Sequence, residues 1–330
     1  MSDPGHDHKR GEGPAAEMGG FTRVPLDAAT LAEVAAFVSA RTAGWMSAPR
    51  VVEVSTTIVA GPESVLDLWR EGRRAAVATL IDTCSTQGNA AELSLFVDNR
   101  AAGAAGSPGG AEEALDTILA WAKGRLRGGP RDNLDIPVWP GTTIPEAWLH
   151  RHGFAKTYTY FEMERDADKA APLPPEKALP AGLSWHRYED RFFSAFFETI
   201  QRAFENVPGA FVSSEEATHE RARRFPIPPP ALLMQDDRVA GYVRIELGKD
   251  GSGEIASLGR HPDYRGTGLG EHLLRRGLEM LVAHGARRQR LEVTAVNTRA
   301  AQLYERFGFR RCREYAVYRR PLQHAAPARK

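Results

Sequence analysis

Cysteine is scarce in this chain, with only Cys84 and Cys312 among 330 residues. Two thiols cannot lay down a disulfide framework, so a small secreted scaffold is excluded and a reducing compartment is expected. Long apolar runs are also missing, and none approaches the roughly 18 residues that a membrane-spanning helix needs. The opening stretch MSDPGHDHKRGEGPAAEMGG lacks the hydrophobic centre of a secretory signal. Charge of one sign is not in excess either: 43 Lys and Arg stand against 42 Asp and Glu, a net of +1. That balance removes the electrostatic footprint of a nucleic-acid or acidic-membrane binder. These absences leave a soluble cytoplasmic protein, with neither nucleic acid nor membrane as partner.

What is present is enough hydrophobic material, 42% of 330 residues, for about two domains with cores of their own. Residues 1–20 are rich in Gly, Asp and His and have little to bury, which predicts a disordered tail. His6 and His8 lie there without a second ligand cluster, so no metal site is expected. A second break spans Asp166–Ala181 (DADKAAPLPPEKALPA), whose four prolines favour a semi-rigid spacer. The expected units are therefore 21–165 and 182–322, followed by a short disordered tail at 323–330.

The second unit reads as strand Gly182–Glu189, helices over Phe192–Val207 and Ser213–Phe225, and a hairpin of ALLMQ with VAGYVRIEL. Strand Glu254–His261 follows, then a helix from Leu269 to His284 with apolar residues at Leu269, Leu273, Leu274, Leu278 and Leu281. Strand Arg290–Val296, a short helix Arg299–Phe307 and a long final strand complete the order β-α-α-β-β-β-α-β-α-β. Ser214 is a plausible N-cap for the second helix, with Glu215 and Glu216 in its first turn. The first unit repeats this order more loosely, and HGF at His152–Phe154 corresponds to FGF at Phe307–Phe309, 155 positions later. A recurring element order at a fixed offset indicates an internal duplication.

The stretch that carries chemistry is HPDYRGTGLGEHLL. A strand ends at Arg260-His261, and Arg265-Gly266-Thr267-Gly268-Leu269-Gly270 opens a helix. Glycines let the backbone turn sharply and approach a ligand, while the helix start presents N–H groups and a positive dipole end to a pyrophosphate. Arg265 adds a charge-assisted contact. The spacing fits neither the Rossmann fingerprint, since Glu271 stands where its last glycine belongs, nor a Walker loop, since no Gly-Lys-Ser/Thr follows.

Together with VTAVNTRAAQLYERFGFRR, this stretch resembles the GCN5-related N-acetyltransferase superfamily. The R-x-x-G-x-G/A motif matches at Arg265, Gly268 and Gly270. The N-x-x-A-x-x-x-Y-x-x-x-G-F block matches at Asn297, Ala300, Tyr304, Gly308 and Phe309. The resemblance covers about Gly182 to Leu322. It implies an α/β architecture of two tandem units, each a splayed, mostly antiparallel sheet flanked by helices. It also implies acetyl-CoA as cosubstrate, with no metal. Backbone near Leu258–Arg260 would hold the pantetheine arm, the Arg260 N–H would polarise the thioester carbonyl, and Arg265–Gly270 would hold the pyrophosphate.

Amide formation needs a proton acceptor for the amine and a proton donor for the thiolate. Tyr304 stands where the family places its general acid; the alternative is a core tyrosine on a short helix. Glu254 is the first candidate for the base, with Glu246 and Glu292 competing. Cys312 lacks a nearby histidine in sequence, which favours direct transfer over an acyl-cysteine. Phe193, Phe196, Phe197, Phe204 and Phe211 are core residues by spacing, and a subset could wall an acceptor pocket. Glu198 and Glu205 could draw an ammonium group. The expected reaction is acetyl transfer to a primary amine of a small molecule, by a monomer or homodimer. Acetylation of a protein N-terminus or lysine, and a noncatalytic acyl-CoA-binding module, are the alternatives.

The first unit departs from the family at the residues that matter. RAAGAAGSPGGAEEAL has glycines at 103, 106, 109 and 110 but no R-x-x-G-x-G. Pro108 removes a donor, and Glu112 and Glu113 put negative charge where a pyrophosphate would sit. Alignment on Gly153-Phe154 puts Leu149 where Tyr304 stands. This unit is expected to be a degenerate copy with a structural or acceptor-shaping role.

Overall fold

The computed structural model describes residues 16–26, 28–42, 64–85, 88–98, 110–127, 129, 131–207, 210, 212, 215–223, 228–248 and 251–322. The tails at 1–15 and 323–330, Phe211, Ser214 and the loop glycines at 103, 106 and 109 lie outside them.

Chain order begins with β1 (Ala16–Met18), β2 (Phe21–Val24) and α1 (Ala28–Arg41), then β3 (Val65–Arg70), β4 (Arg73–Ser85) and β5 (Gly88–Val97). Next come α2 (Gly110–Leu126), β6 (Asn133–Val138), α3 (Glu146–Arg151) and β7 (Ala155–Asp166). The second half holds β8 (Ser184–Arg187), α4 (Phe193–Phe204), α5 (Glu215–Arg223), β9 (Ala231–Gln235), β10 (Arg238–Leu247) and β11 (Ser252–Arg260). It ends with α6 (Leu269–Ala283), β12 (Arg288–Thr294), α7 (Thr298–Arg306) and β13 (Arg310–Pro321).

One expectation is corrected at the start. Residues 16–20 were expected within the disordered tail, yet β1 pairs with β2 through a turn at Gly19 and Gly20, both at positive φ. The glycines that read as disorder are the residues a tight hairpin requires. Phe21, fully buried with the Arg70 guanidinium 3.8 Å above its ring, anchors this hairpin.

All the described strands join into one sheet of order β1-β2-β3-β4-β5-β6-β13-β7-β12-β11-β10-β9-β8. Its centre is an exchange. β13, the last strand of the chain, lies between β6 and β7, and β7 lies between β13 and β12. Each half therefore completes the sheet of the other. Met163 of β7 packs with Leu291 and Phe309 in the C-terminal core, while Tyr318 of β13 packs with Trp148 and Phe154 in the N-terminal core. Arg165 strengthens the join from a buried position, donating to the Phe307 carbonyl at 2.9 Å and to Gln289 Oε1 at 2.8 Å.

The duplication shows as a pseudo-twofold axis through β7 and β13. Tyr160 and Tyr315, which share the offset linking the two Gly-Phe pairs, are direct cross-strand partners. The Asp135–Arg319 ion pair on one side of the axis corresponds to Arg290–Glu164 on the other, with the charges exchanged. The segment joining the halves runs along α6, where Lys177 pairs with Glu271 at 3.1 Å and Arg275 donates to the Pro174 carbonyl. No described helix is long and apolar enough to cross a membrane.

Candidate active site

The cleft begins where two strands part. β11 and β12 run parallel and are paired only at Ser252–Arg288, Gly253–Gln289 and Glu254–Arg290. Beyond Glu254 they diverge. β11 also carries one extra residue, Ala256, opposite the Arg244–Ile245 step of β10, a bulge that bends the strand. The resulting cleft, about 800 Å³, is lined by the β11 run from Glu254 to Arg260, by the turn into α6, by β12 and by α7.

The turn is shaped by backbone geometry. A short 3-10 turn at Pro262–Tyr264 follows the strand, and Gly266 and Gly268 both sit at positive φ, with Gly268 capping α6. No atom lies within 4 Å of where a Cβ at either position would be, so glycine serves here for its backbone conformation rather than for space. Arg265, Gly266, Gly268, Leu269 and Gly270 all line the cleft, beside the first N–H groups of α6. Thr267 does not line it; its hydroxyl donates to the Tyr264 carbonyl at 2.7 Å and braces the turn.

Opposite, Asn297 caps α7 by accepting from the Ala300 N–H at 3.3 Å. This cap fixes the helix that carries Tyr304. Tyr304 lines the cleft from a site that is 9% exposed, with its ring edge-on to Phe309 at 6.2 Å. Burial pushes the phenol up to about 12, against the opposing pull of the nearby Arg260 guanidinium. The hydroxyl is thus protonated throughout the neutral range and suited to donate a proton.

Of the candidate bases, Glu254 and Glu292 line the cleft, whereas Glu246 does not and is paired with Arg244. Glu254 occupies the last paired position before the strands part. Glu292 accepts from the Tyr315 hydroxyl at 3.0 Å, a bond made by the exchanged strand β13. The expected aromatic wall divides into two stripes. Phe196 and Phe204 line the cleft, while Phe193 and Phe197 stack on each other at 5.8 Å and do not. Glu198 and Glu205 are also outside it, and Glu205 pairs with Arg202 at 2.8 Å. Cys312 does not line the cleft; the residue is exposed, its thiol donates to the Glu162 carbonyl, and partial desolvation with the Glu162 and Glu164 carboxylates pushes it up to about 11, away from the thiolate a nucleophile needs.

Sequence reasoning missed Tyr160. It comes from β7 in the first half, lines the cleft of the second, and stacks on Tyr315 at 5.0 Å with the rings nearly parallel. Its equivalence to Tyr315 at the duplication offset was the available signal. Arg244 and the hydroxyl pair Tyr242–Ser257, at 2.7 Å, also line the cleft and were not singled out. Among the described residues, no cluster of His, Cys, Asp and Glu could hold a metal ion.

The first half repeats this strand geometry. β5 and β6 pair at Ala90–Asn133, Ala91–Leu134 and Glu92–Asp135 and then part, so Glu92 is the counterpart of Glu254. Trp139 stands where the second half has Thr294. Its ring lies 4.3 Å from Tyr315 and it is 7% exposed, within a cluster that includes Val34 and Val38 of α1. Leu149, buried, takes the place of Tyr304. Glu113 and Glu112, at the start of α2, pair with Arg70 at 2.8 Å and with Arg151 at 2.6 Å.

Residues 186–309 match the acetyltransferase (GNAT) family. The chain is 30% identical to the mycothiol acetyltransferase of Saccharopolyspora erythraea over 201 residues, covering 54% of this chain and 65% of that protein. It is 29% identical to the mycothiol acetyltransferase of Kocuria rhizophila, covering 53% of this chain and 65% of that protein. The chain thus spans somewhat less than two thirds of the length of these curated relatives. Among solved structures, it resembles a GCN5-related N-acetyltransferase from Sphaerobacter thermophilus, with a TM-score of 0.69, 19% identity and coverage of 91% of this chain and 95% of the other. It also resembles a tandem GNAT protein from the clavulanic acid biosynthesis pathway, with a TM-score of 0.64, 17% identity and coverage of 93% and 100%.

Proposed function

Because residues 186–309 match the acetyltransferase (GNAT) family and the chain shares its fold with a tandem GNAT protein, we propose that the protein is an N-acetyltransferase working through its second half. In this reading it moves an acetyl group from acetyl-CoA to a primary amine of a small molecule, in the cytoplasm. The carrying observation is that the sheet parts directly after Glu254 and that the Arg265–Gly270 turn and Tyr304 line the same cleft.

The cleft suits acetyl-CoA on its own features. Arg260, Arg265 and Arg299 line it, and burial together with the other two arginines depresses the pKa of Arg260. Such a crowd of cations is relieved by an anion, and the start of α6 adds its dipole to the attraction. Acetyl-CoA supplies the activated acyl carbon and a thiolate leaving group. Glu254 takes a proton from the acceptor ammonium, so that the amine lone pair is free to form the C–N bond. Tyr304 gives its proton to the sulfur as the C–S bond breaks and is reprotonated as the amide nitrogen sheds its second proton. Glu292, Tyr160, Phe196 and Phe204 also line the cleft, and in this reading they receive the acceptor. A mixed polar and apolar cleft of about 800 Å³ is within the range used for small molecules.

Calorimetric titration of the protein with acetyl-CoA, without acceptor, tests this reading. One site per chain, lost on Gly268→Val, is the expected result, followed by CoA release with a panel of amines. Two sites per chain would return the first half to consideration, and no binding would end the transferase reading.

A further inference from the structure

Arg260 has a side chain that the backbone role of its strand does not require. Its N–H and carbonyl belong to the end of β11, yet the guanidinium lies in the cleft between the first turn of α6 and α7. Nη1 is 3.3 Å from where a Cβ on Gly270 would be, a position equally close to Leu303 of α7. The buried Nε has no hydrogen-bond partner among the described residues. Nor does a described carboxylate pair with Arg260, Arg265 or Arg299, whereas Arg306 beside them is matched by Glu271 at 2.8 Å. An orphaned guanidinium N–H beside two further unmatched cations is costly unless an anion completes it.

We propose that the Arg260 guanidinium binds the pyrophosphate of CoA from beneath, opposite the N–H groups of the Arg265–Gly270 turn, and so closes the cradle on a second side. The proposal rests on the acetyl-CoA reading above. A guanidinium suits this place because its planar fork meets two phosphate oxygens at once.

Calorimetry with CoA and with 3′-dephospho-CoA, on full-length wild type, Arg260→Gln and Arg260→Lys, tests it. For Arg260→Gln, affinity for both ligands should fall about tenfold or more, the loss expected for a charge-assisted hydrogen bond. Arg260→Lys, which keeps the charge but loses the planar fork, should lose less affinity than Arg260→Gln. The melting temperature of ligand-free Arg260→Gln should be unchanged or higher, because a repulsive cation has been removed; a purely structural role would lower it. Unchanged affinity in Arg260→Gln overturns the proposal. So does a loss seen with CoA but not with 3′-dephospho-CoA, which would assign the side chain to the 3′-phosphate. An equal loss in Arg260→Lys, or a lowered melting temperature of ligand-free Arg260→Gln, overturns it as well. If wild type binds neither ligand, the acetyl-CoA reading itself fails, an outcome distinct from all of these.

Discussion

The two halves have the same sheet opening and differ in what fills it. Glu92 and Glu254 hold equivalent places at the last pair before the strands part. Past that point, the second half has Thr294 and Tyr304 where the first has Trp139 and Leu149. Thr294 leaves room beside Tyr160 for a cleft, whereas the Trp139 indole lies against Tyr315 and packs with α1. The lesson is that a splayed sheet is not in itself a site. It becomes one when small or polar residues keep the opening empty, and it becomes core when an aromatic residue fills it.

The exchange of β7 and β13 ties the comparison together, and cutting it should have the largest effect. A chain reduced to residues 167–330 loses Met163 from its core and the buried Arg165 bonds, and leaves β12 and β13 as open edges. It should fail to fold, with no cooperative melt in circular dichroism and no acetyl-CoA binding. A stable, binding-competent fragment would show that the first half is dispensable.

Second in size is the contrast of Tyr304 with Leu149. Tyr304→Phe should lower kcat by roughly a hundredfold or more, the scale of general acid catalysis, with acetyl-CoA affinity kept. Leu149→Tyr should create no activity in that background. The pH profile sharpens this point. Burial disfavours the phenolate and so raises the pKa, to about 12; the acid form then persists, and kcat should show no alkaline fall below about pH 10. A fall centred near the ordinary tyrosine value would show that burial does not hold the phenol up.

The plug of the first half offers a smaller, purely structural effect. Trp139→Ala should cost about 3–5 kcal/mol of stability in a denaturant melt, as for other buried aromatic truncations. It should leave the number of acetyl-CoA sites at one per chain; a second site would show that Trp139 alone keeps that half silent. Smallest is Tyr315→Phe, which takes the hydroxyl donor from Glu292 while leaving the ring stack. A loss of about 1 kcal/mol is typical of one such bond, so acceptor KM should rise about fivefold with acetyl-CoA affinity unchanged. A change in acetyl-CoA affinity instead would place Glu292 at the wrong end of the cleft.

Much of this was legible in the chain. The turn around Gly266 and Gly268 could be read because its backbone demands glycine and its chemistry demands an arginine nearby. Tyr304 could be read from its spacing to Asn297 and Gly308, which one helix and its cap impose. The helical spacing of the phenylalanines showed which of them share a face but not which face meets the cleft, so Phe193 and Phe197 stood beside Phe196 and Phe204. The Gly19-Gly20 hairpin was hidden because two glycines in a polar stretch look the same in a tail and in a tight turn.

By itself, the sequence determined the local elements, the duplication and the chemistry-bearing turn, because periodicity, capping and glycine conformation act over a few residues. Only the tertiary structure decided that β7 and β13 change places, that Tyr160 reaches the cleft of the other half, and that the Arg260 side chain lies under the turn. These depend on pairing between segments far apart in the chain, which is selected by the burial of whole sheet faces and leaves no local signature.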